Sequence, residues 1–324
     1  MCSRRFIRGF FSLRMDLDYR KKDTSPTSIK HMTSDYIRNI DPSNLTKNDW
    51  LELAYLVLLQ RKIDTVGQSC WSQKIIDGSF NYKNLLDTLI ASPEYIMHYK
   101  EPFSAVLHRA RQTWIRTLPL FDSILDIGGS SPNIEMGAMI ELGYLHRPKK
   151  ITILDLPPEE QYWGRPKYNQ EPEYDYSWGT VEYIHGKAES IRSIESLANR
   201  RFECVFMGQT IEHIKHEALS GLLVWISEHL SPGGKLIFDT PNRKITQIQS
   251  PNKLIDLDHK YEYDPIEMKR ILERNGFDVN NQWGLLDMPQ TYKNGIFNPL
   301  EVYETESLNQ HPETSYCFAF ECQK

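Results

Sequence analysis

Two acidic residues stand at the ends of short apolar, β-branched segments, where their carboxylates can bind a polar ligand. Asp126 lies just before the glycine pair Gly128-Gly129, and Asp155 ends the segment 151–155. A carboxylate at the C-terminal end of a strand accepts hydrogen bonds from an amine or from ribose hydroxyls, and glycines let the backbone approach the ligand. The pattern predicts a nucleoside-containing cofactor bound across the carboxyl edge of a parallel sheet.

The elements that must position these residues follow from the alternation of strand and helix patterns after about residue 104. Strands are predicted at 122–127, 151–155, 181–185, 202–207 and 235–239, with a further extended segment near 277–283. Helices are predicted at 215–230 and 264–275. The segment 157–179, rich in tyrosine and proline, is interpreted as an inserted loop. Short strands that alternate with helices are typical of a three-layer, doubly wound α/β domain.

The region before this domain has the pattern of three short helices. Ser43 or Asn44 is predicted to cap the first of them. Its predicted apolar face is Trp50, Leu53, Ala54, Val57 and Leu58. A break is predicted at 64–67, and the next two helices are predicted to end at 77–78 and near 92–93. The pattern favours a small helical domain.

The length of the chain favours two folded units. At 324 residues it exceeds the usual size of one domain. We divide it into a flexible basic arm (1–34), a small helical domain (35–103) and the α/β domain (104–324). The arm combines arginines with aromatic residues, a composition that allows peripheral contact with an anionic membrane surface. The sequence contains no apolar run long enough for an integral membrane segment.

Charge and cysteine content restrict the class of protein further. With 38 basic and 43 acidic residues the formal net charge is -5, which argues against a dedicated nucleic-acid-binding protein. The five cysteines are odd in number and form no CxxC pair, so they are predicted to be free thiols in a reducing compartment. Together with a mean hydropathy of -0.52, this pattern favours a cytoplasmic protein.

The order of the segments after residue 104 resembles that of class I S-adenosylmethionine-dependent methyltransferases. The motifs that carry the resemblance are Asp126-Ile127-Gly128-Gly129-Ser130-Ser131, Asp155, Gly186-Lys187-Ala188, Phe202-Glu203-Cys204-Val205 continuing to Thr210-Ile211-Glu212-His213-Ile214, Leu230-Ser231-Pro232-Gly233-Gly234-Lys235-Leu236, and Tyr261-Glu262-Tyr263 leading to Ile271–Phe277. Each motif is short, but their order and spacing match the family throughout. The resemblance implies a Rossmann-like fold and S-adenosyl-L-methionine as the cofactor.

The same resemblance implies which residues bind this cofactor. They are Asp126, Gly128, Gly129, Asp155, Leu156, Lys187, Ala188 and Gln209. In the family, the acid at the position of Asp155 holds both ribose hydroxyls, and the segment at Lys187 lies near the adenine. The chain departs from the family at Lys187, where an acid is usual, and in the first motif, where a serine replaces the third glycine. Because a lysine accepts no hydrogen bond, the adenine amine is expected to contact the backbone or Glu189.

A nicotinamide dinucleotide is the alternative cofactor for a sheet of this kind. Its fingerprint, Gly-x-Gly-x-x-Gly, places a pyrophosphate on a helix N-terminus. That spacing is missing after Asp126, whose negative charge would repel a pyrophosphate but suits the ammonium group of S-adenosylmethionine. The sequence therefore favours the methyl donor.

A hydroxyl acceptor requires a base that removes its proton as it attacks. His213 and His259 lie in segments that resemble active-site loops of the family and are the predicted catalytic residues; Glu212 and Asp239 are further candidates. The spacing of histidines and carboxylates shows no compact cluster with the pattern of metal ligands, so no metal site is predicted.

The N-terminal region resembles a small helical domain of unknown function found in bacterial sugar-modifying enzymes and surface proteins. The residues that carry this likeness are Leu58-Leu59-Gln60-Arg61, Asp64, Gly67, Trp71 and Ala91-Ser92-Pro93-Glu94-Tyr95. Together the two resemblances imply a methyltransferase of the EC 2.1.1 class that O-methylates a sugar or a cell-surface glycan. Two alternatives stay open: methylation of a small aromatic or lipid-like acceptor, and a methyltransferase-like binding module without activity. The oligomeric state is left open.

Overall fold

The computed structural model describes residues 46–59, 61–92, 94–95, 101–161 and 172–324. The chain divides into two compact units, Met1–Lys100 and Glu101–Lys324, which we describe separately. The basic arm predicted at 1–34 and the helix cap predicted at residues 43 or 44 lie outside the described residues. Within the described ranges, no helix is both long enough and apolar enough to cross a membrane.

Three helices form the described core of the first unit: α1 (Lys47–Leu59), α2 (Thr65–Ile76) and α3 (Tyr82–Ile90). Their shared core consists of Leu51, Ala54, Tyr55, Leu59, Trp71, Leu85 and Leu89. The predicted apolar face of α1 is largely wrong, because only Ala54 of that set is buried, whereas Trp50 and Val57 are exposed. Since α1 carries apolar residues on several sides, packing against the other helices decides which side is buried.

Side-chain caps define where the first two helices begin. Thr46 and Asp49 form a reciprocal cap on α1, in which each side chain accepts a hydrogen bond from the backbone N–H of the other residue. At α2, Asp64 Oδ1 accepts a hydrogen bond from the Gly67 N–H at 2.7 Å. The predicted break at these residues is therefore the capped first turn of α2. The predicted end of α2 at 77–78 is confirmed, with the glycine at φ +76°.

One sheet organises the second unit. The strands found in its described part are β1 (Ser123–Ile127), β2 (Lys150–Asp155), β3 (Glu173–Tyr176), β4 (Gly179–His185), β5 (Phe202–Gly208), β6 (Leu230–Pro241), β7 (Asp278–Asp287), β8 (Leu308–Asn309) and β9 (Ser315–Gln323). Their order across the sheet is β3-β4-β2-β1-β5-β6-β9-β7-β8. β4, β2, β1, β5 and β6 run parallel to one another, and β9 runs antiparallel between β6 and β7. Parallel neighbours need crossover connections over the faces of the sheet.

Helices cover both faces of this sheet. They are α4 (Phe103–Ile115), α5 (Ala138–Glu141), α6 (His216–His229), α7 (Arg243–Gln249), α8 (Pro265–Arg274) and α9 (Pro289–Asn294). Alternate residues of β5 belong to different cores: Cys204 and Phe206 pack with Trp114 of α4, and Val205 and Met207 pack with residues of α6 and α8. The two cores make three layers, and the predicted doubly wound, Rossmann-like α/β fold is confirmed.

Most predicted elements of the second unit have counterparts in the structure. The five predicted strands correspond to β1, β2, β4, β5 and β6, and the extended segment near 277–283 corresponds to β7. The two predicted helices correspond to α6 and α8. The side chain of Asp264 caps α8 by accepting hydrogen bonds from the backbone N–H groups of Ile266 and Glu267.

Three details of the sheet differ from the sequence prediction. Part of the segment interpreted as a loop forms the edge strand β3, whereas residues 162–171 lie outside the described residues. No strand was predicted at β9, although all but its last residue are buried. β6 begins at Leu230, five residues before the predicted strand 235–239, and its pairing with β5 shifts register near that start. The described cysteines, Cys70, Cys204, Cys317 and Cys322, form no disulfide.

Candidate active site

The C-terminal ends of the parallel strands lie at one edge of the sheet. β1 lies between β2 and β5, and the chain runs outward from β1 to β2 and β4 before it returns to β5 on the other side. This reversal is a topological switch point, and in open α/β sheets ligands bind in the crevice outside the carboxyl ends at such a point. The residues that follow β1, β2 and β5 are therefore the first candidates for ligand contacts.

The turn after β1 has no room for side chains at its two glycines. Gly128 has φ +77°, and a Cβ there would lie 2.5 Å from Thr210 Oγ1. A Cβ on Gly129 would overlap with the Asp126 carboxyl group. The Gly128 N–H donates a hydrogen bond to Leu154 O at 2.8 Å, which ties the turn to β2. Both glycines are thus required by the protein itself, and they leave bare backbone at the edge.

Asp126 is buried directly beneath this turn. It is 1% exposed, and its Oδ2 has no hydrogen-bond partner among the described residues. Burial, followed by the neighbouring Asp155 carboxylate, raises the pKa of Asp126 to about 7. A bound ammonium group would supply both the missing donor and a compensating positive charge. This environment fits the amino group of S-adenosylmethionine.

Asp155 links the ends of β1 and β2. Its Oδ2 accepts a hydrogen bond from the Ser130 N–H at 2.9 Å, and its Oδ1 accepts one from the Leu156 N–H at 2.7 Å. Each carboxylate oxygen has a second lone pair, and the residue is only half-buried. The two backbone donors fix the orientation of the carboxylate while leaving it able to accept hydrogen bonds from two hydroxyl groups.

The segment after β4 contains the predicted adenine contacts. Lys187 is exposed and forms an ion pair with Glu160 at 3.3 Å. Ala188 is half-buried and begins a short 3-10 helix, Ala188–Ser193. The Gly186 N–H donates a hydrogen bond to Asp155 O, so this segment is joined to the end of β2.

Gln209, the first residue after β5, has an unusual backbone. Its φ is +54°, a conformation that costs free energy for a residue other than glycine. Its Nε2 donates a hydrogen bond to Asp239 Oδ2 at 2.7 Å. Asp239 is buried and also binds the guanidinium of Arg111, through Nε at 2.7 Å and Nη2 at 3.2 Å. Because both its oxygens are engaged, the expectation that Asp239 acts as a base is not supported by its surroundings.

Arg111 is a site residue that the sequence reasoning missed. It lies on α4 at helical spacing from the buried residues Trp114 and Ile115, so the periodicity itself indicates an arginine on the buried face. The negative charge of Asp239 outweighs burial and raises the pKa of the guanidinium. An arginine on the buried face of a helix needs a carboxylate partner, and this requirement is the signal in the sequence that points to Arg111.

The predicted catalytic histidines lie together with Glu212. Glu212 and His213 belong to the short 3-10 helix Ile211–His213 after β5, and His259 comes from the segment before α8. The imidazole rings of His213 and His259 have centroids 4.9 Å apart and are nearly perpendicular. Potential ligand atoms of the three residues all lie within 4.8 Å of one another. The expectation from linear spacing that no compact cluster exists is therefore wrong.

Hydrogen bonds fix each member of this cluster. Glu212 Oε2 accepts a hydrogen bond from the Thr240 hydroxyl at 2.8 Å, whereas its Oε1 has no partner in the described part of the chain. His259 Nδ1 lies 2.8 Å from Glu262 Oε1, and His213 Nδ1 lies 3.4 Å from Asp258 O. Glu212 is fully buried, His259 half-buried and His213 exposed, so the cluster opens to solvent on the His213 side.

The protonation states of the cluster differ from those of free side chains. Burial raises the pKa of Glu212 to about 7. Burial of its ring, followed by the nearby His259, lowers the pKa of His213 although part of that side chain is exposed. Burial also opposes the charged form of His259, but the hydrogen bond that its ring N–H donates to Glu262 and the charge of Glu212 outweigh burial and raise the pKa of His259.

The fold and the edge of the sheet define a class of protein. A methyltransferase domain family matches residues 95–282, more than half of the chain, and the chain belongs to this family. It is an S-adenosylmethionine-dependent methyltransferase, and S-adenosyl-L-methionine is its cofactor.

Solved structures similar to the chain include several methyltransferases. An S-adenosylmethionine-dependent methyltransferase from Thermotoga maritima, described as a possible histamine N-methyltransferase, is 16% identical, with a TM-score of 0.47 over 68% of this chain and 91% of that one. One from Archaeoglobus fulgidus is 17% identical, with a TM-score of 0.46 over 71% and 98%. The glycopeptide N-methyltransferase MtfA is 16% identical, with a TM-score of 0.37 over 67% and 92%. No curated protein sequence matches the chain significantly.

Proposed function

We propose that this methyltransferase transfers the methyl group to a hydroxyl of a sugar or a cell-surface glycan. The observation that carries the proposal is the cluster of Glu212, His213 and His259 beside the loop that follows β5. A hydroxyl must lose its proton when it is methylated, whereas a neutral amine attacks with a free lone pair. A polar cluster with two imidazoles suits the first acceptor better than the second. The choice of a sugar is supported by the resemblance of the N-terminal unit to a domain of sugar-modifying proteins.

In this proposal, different residues at the edge of the sheet contact different parts of the cofactor. The backbone at Gly128 and Gly129 lies under the methionine part, and the Asp126 carboxylate pairs with the ammonium group. Asp155 accepts hydrogen bonds from the ribose hydroxyls. The remaining contacts are proposed for Leu156, Lys187, Ala188 and Gln209. The bound cofactor supplies a methyl group on a sulfonium, which needs alignment more than acid catalysis.

The chain's own contribution to the chemistry is to orient and activate the acceptor. The acceptor oxygen forms the new bond to the methyl carbon, the carbon–sulfur bond breaks with its electron pair going to sulfur, and the hydroxyl proton passes to solvent water. His213 and His259 are the candidates that promote this proton loss, and the partly exposed His213 leaves the cluster accessible to an acceptor. Arg111 acts indirectly, because it holds the Asp239 carboxylate that in turn holds Gln209.

An inactive binding module is the less favoured function. The departure that suggested it is Lys187, which stands where the family usually has an acid. This lysine is exposed, and its ammonium group forms an ion pair with the carboxylate of Glu160. Its charge is therefore partly compensated, which supports retained cofactor binding.

Incubation of the full chain with S-adenosylmethionine and three acceptor classes tests the proposal. Oligosaccharides, simple phenols and lipid alcohols are offered separately, and mass spectrometry detects a methyl group on the product. We expect O-methylation of the oligosaccharide, and much slower methylation with Asp155→Ala at a limiting cofactor concentration. Methylation confined to the phenol or the lipid would replace the sugar with one of those acceptors. Cofactor binding without transfer to any acceptor would favour the binding module.

A further inference from the structure

We propose that Glu212, His213 and His259 bind a divalent transition-metal cation, such as Zn²⁺, Co²⁺ or Mn²⁺, at the end of β5. Their potential ligand atoms lie within 4.8 Å of one another, so that small side-chain rotations bring all three within bonding distance of one ion. The proposal rests on the proposed function in one respect: the cation would bind the acceptor hydroxyl.

The strongest geometric support comes from atoms left without partners. Glu212 is 0% exposed, and its Oε1 accepts no hydrogen bond from any described residue. A carboxylate oxygen in that position loses its hydration on folding and gains nothing in return, which is costly. A cation between Glu212 and the two imidazoles removes this cost, because it supplies the positive charge that the buried oxygen lacks.

The histidines are oriented in the way that metal-binding histidines usually are. His259 Nδ1 is hydrogen-bonded to Glu262 Oε1 at 2.8 Å, and His213 Nδ1 faces Asp258 O at 3.4 Å. When Nδ1 carries the proton and donates to oxygen, Nε2 presents a lone pair to an ion. A ligating histidine commonly donates its other ring N–H to a carboxylate or a backbone carbonyl, and here one partner of each kind is present.

The groups behind these ligands are themselves held in place. Glu262 is buried and accepts hydrogen bonds from the Thr246 hydroxyl and from the Ile255 N–H. The backbone carbonyl of Glu212 accepts a hydrogen bond from the Lys260 N–H at 2.7 Å, which joins the two segments that carry the cluster. Glu212 and His259 are therefore largely held in place before any ion arrives, and preorganised ligands bind an ion at a lower entropic cost.

The donor set indicates which cations fit. Two imidazole nitrogens and one carboxylate oxygen suit Zn²⁺, Co²⁺, Mn²⁺ or Fe²⁺, whereas Mg²⁺ prefers oxygen ligands alone. Three protein ligands leave at least one coordination position for water or substrate, as in catalytic sites. Because His213 is exposed, that position is accessible from solvent.

The open position gives the cation a role in methyl transfer. An acceptor hydroxyl bound there loses its proton to bulk water at a lower pH, because the positive charge stabilises the oxygen anion. The oxygen then bonds to the methyl carbon as the carbon–sulfur bond breaks towards sulfur. The cation is neither oxidised nor reduced, and the histidines act through it as ligands instead of accepting the proton themselves.

Metal binding by the chelator-treated full chain tests the proposal directly. Equilibrium dialysis against Zn²⁺ and visible absorption with Co²⁺ are measured at neutral pH, with Mg²⁺ for comparison. We expect one equivalent of Zn²⁺ or Co²⁺ and no comparable binding of Mg²⁺. Glu212→Gln and His213→Gln should each lower the affinity about tenfold or more. Glutamine at 212 can still accept the Thr240 hydrogen bond, and His213 is exposed, so neither change is expected to unfold the chain.

His216→Gln is the matched control, because His216 is near in sequence but packs against Tyr261 outside the cluster. Its metal affinity should equal that of the unchanged chain. Absence of stoichiometric binding, or equal affinity in the Glu212 and His213 variants and the control, would overturn the proposal. Oligosaccharide methylation that persists at full rate in chelator would overturn the cation's role and leave the proposed function intact. Metal binding without methylation of any hydroxyl would contradict the proposed function and leave the metal site standing.

Discussion

Carboxylates outnumber cationic side chains among the site residues at the carboxyl edge of the sheet. Asp126, Asp155, Asp239 and Glu212 lie at or just beyond the ends of β1, β2, β6 and β5, and Arg111 compensates Asp239. S-adenosylmethionine carries positive charge on its sulfonium and its ammonium group. At the scale of single residues, the charge of this edge therefore supports the cofactor contacts that are proposed for it.

Replacing Asp155 tests the ribose contact. Asp155→Ala should weaken cofactor binding by about 1–3 kcal/mol, the range of charge-assisted hydrogen bonds. Calorimetric titration with S-adenosylhomocysteine measures this loss. Because the alanine also removes the acceptor for the Ser130 N–H, Asp155→Asn is the matched variant that keeps an acceptor oxygen and loses the charge. Unchanged affinity in both folded variants would disprove the assignment.

Asp126 should couple stability to pH. Its native pKa of about 7 lies above the roughly 3.9 of an unfolded aspartate. The protonated carboxyl group therefore stabilises the native state fully below about pH 4, and this contribution is lost as the pH rises through 7. Asp126→Asn, which stays neutral, should stabilise the cofactor-free chain relative to the natural sequence by up to about 4 kcal/mol at pH 8 and by much less at pH 5.

Urea unfolding at both pH values measures this difference. Asp175→Asn, a change at an exposed aspartate of β3, is the control and should show no comparable pH dependence. The same Asp126→Asn variant should bind S-adenosylhomocysteine more weakly at pH 8, since it lacks the charge that is proposed to pair with the ammonium group. A stability difference that is equal at both pH values would contradict a raised pKa.

At the scale of elements, the turn after β1 depends on Thr210 in the loop after β5. Gly128→Ala should be destabilising for two reasons: the left-handed φ of +77° costs about 1–2 kcal/mol, and the new Cβ meets the Thr210 side chain. In the background of Thr210→Ala the clash is reduced and only the backbone strain should remain. Thermal unfolding of the single and double variants separates the two contributions. Equal losses in both backgrounds would exclude the clash as a cause.

The pairing of Arg111 with Asp239 connects α4 to β6 inside the protein. Arg111→Met should destabilise the fold by about 3–5 kcal/mol, because it leaves a buried carboxylate without its partner. Asp239→Asn combined with Arg111→Met removes both charges and should recover part of the loss. Denaturant unfolding of the two single variants and the double variant gives the coupling energy. Additive losses would show that the two charges do not depend on each other.

The central elements were predictable because their local patterns agree with their environment. β1, β2 and β5 are short apolar segments, as expected for buried parallel strands, and the acid or glycine at each end marks the ligand edge. β9 escaped prediction although it is buried, because no ligand motif marks it and its place between β6 and β7 is decided by long-range pairing. β3 was hidden in a segment whose composition indicates a loop.

The candidate site was predictable only in part, because its residues, like β9, are brought together by long-range pairing. The resemblance identified His213 and His259 separately. The short distance between them depends on the hydrogen bond from the Lys260 N–H to Glu212 O, which no local sequence pattern predicts. Glu212 was considered as a base and Arg111 was not considered at all. Contacts between side chains from distant segments of the chain can be identified only once the arrangement of the strands in the sheet is known.

At the scale of the whole molecule, the chain is proposed to separate cofactor binding from acceptor choice. The cofactor candidates all lie in the unit Glu101–Lys324, and the contacts described for them are made within that unit. The first unit has its own buried core around Leu51, Trp71 and Leu85. A unit with its own core that contains none of the cofactor candidates suits a role in recognition rather than in chemistry.

A fragment of residues 101–324 should therefore fold and bind S-adenosylhomocysteine with the affinity of the full chain. The cut belongs before Glu101, because α4 begins at Phe103 and the Tyr303 hydroxyl donates a hydrogen bond to Glu101 O. Calorimetry measures cofactor binding, and the oligosaccharide assay measures transfer. We expect equal cofactor affinity and reduced glycan methylation in the fragment, since the first unit is proposed to select the acceptor. A folded fragment that fails to bind the cofactor would mean that the first unit completes the site. Equal glycan methylation by the fragment and the full chain would instead remove acceptor selection from the first unit.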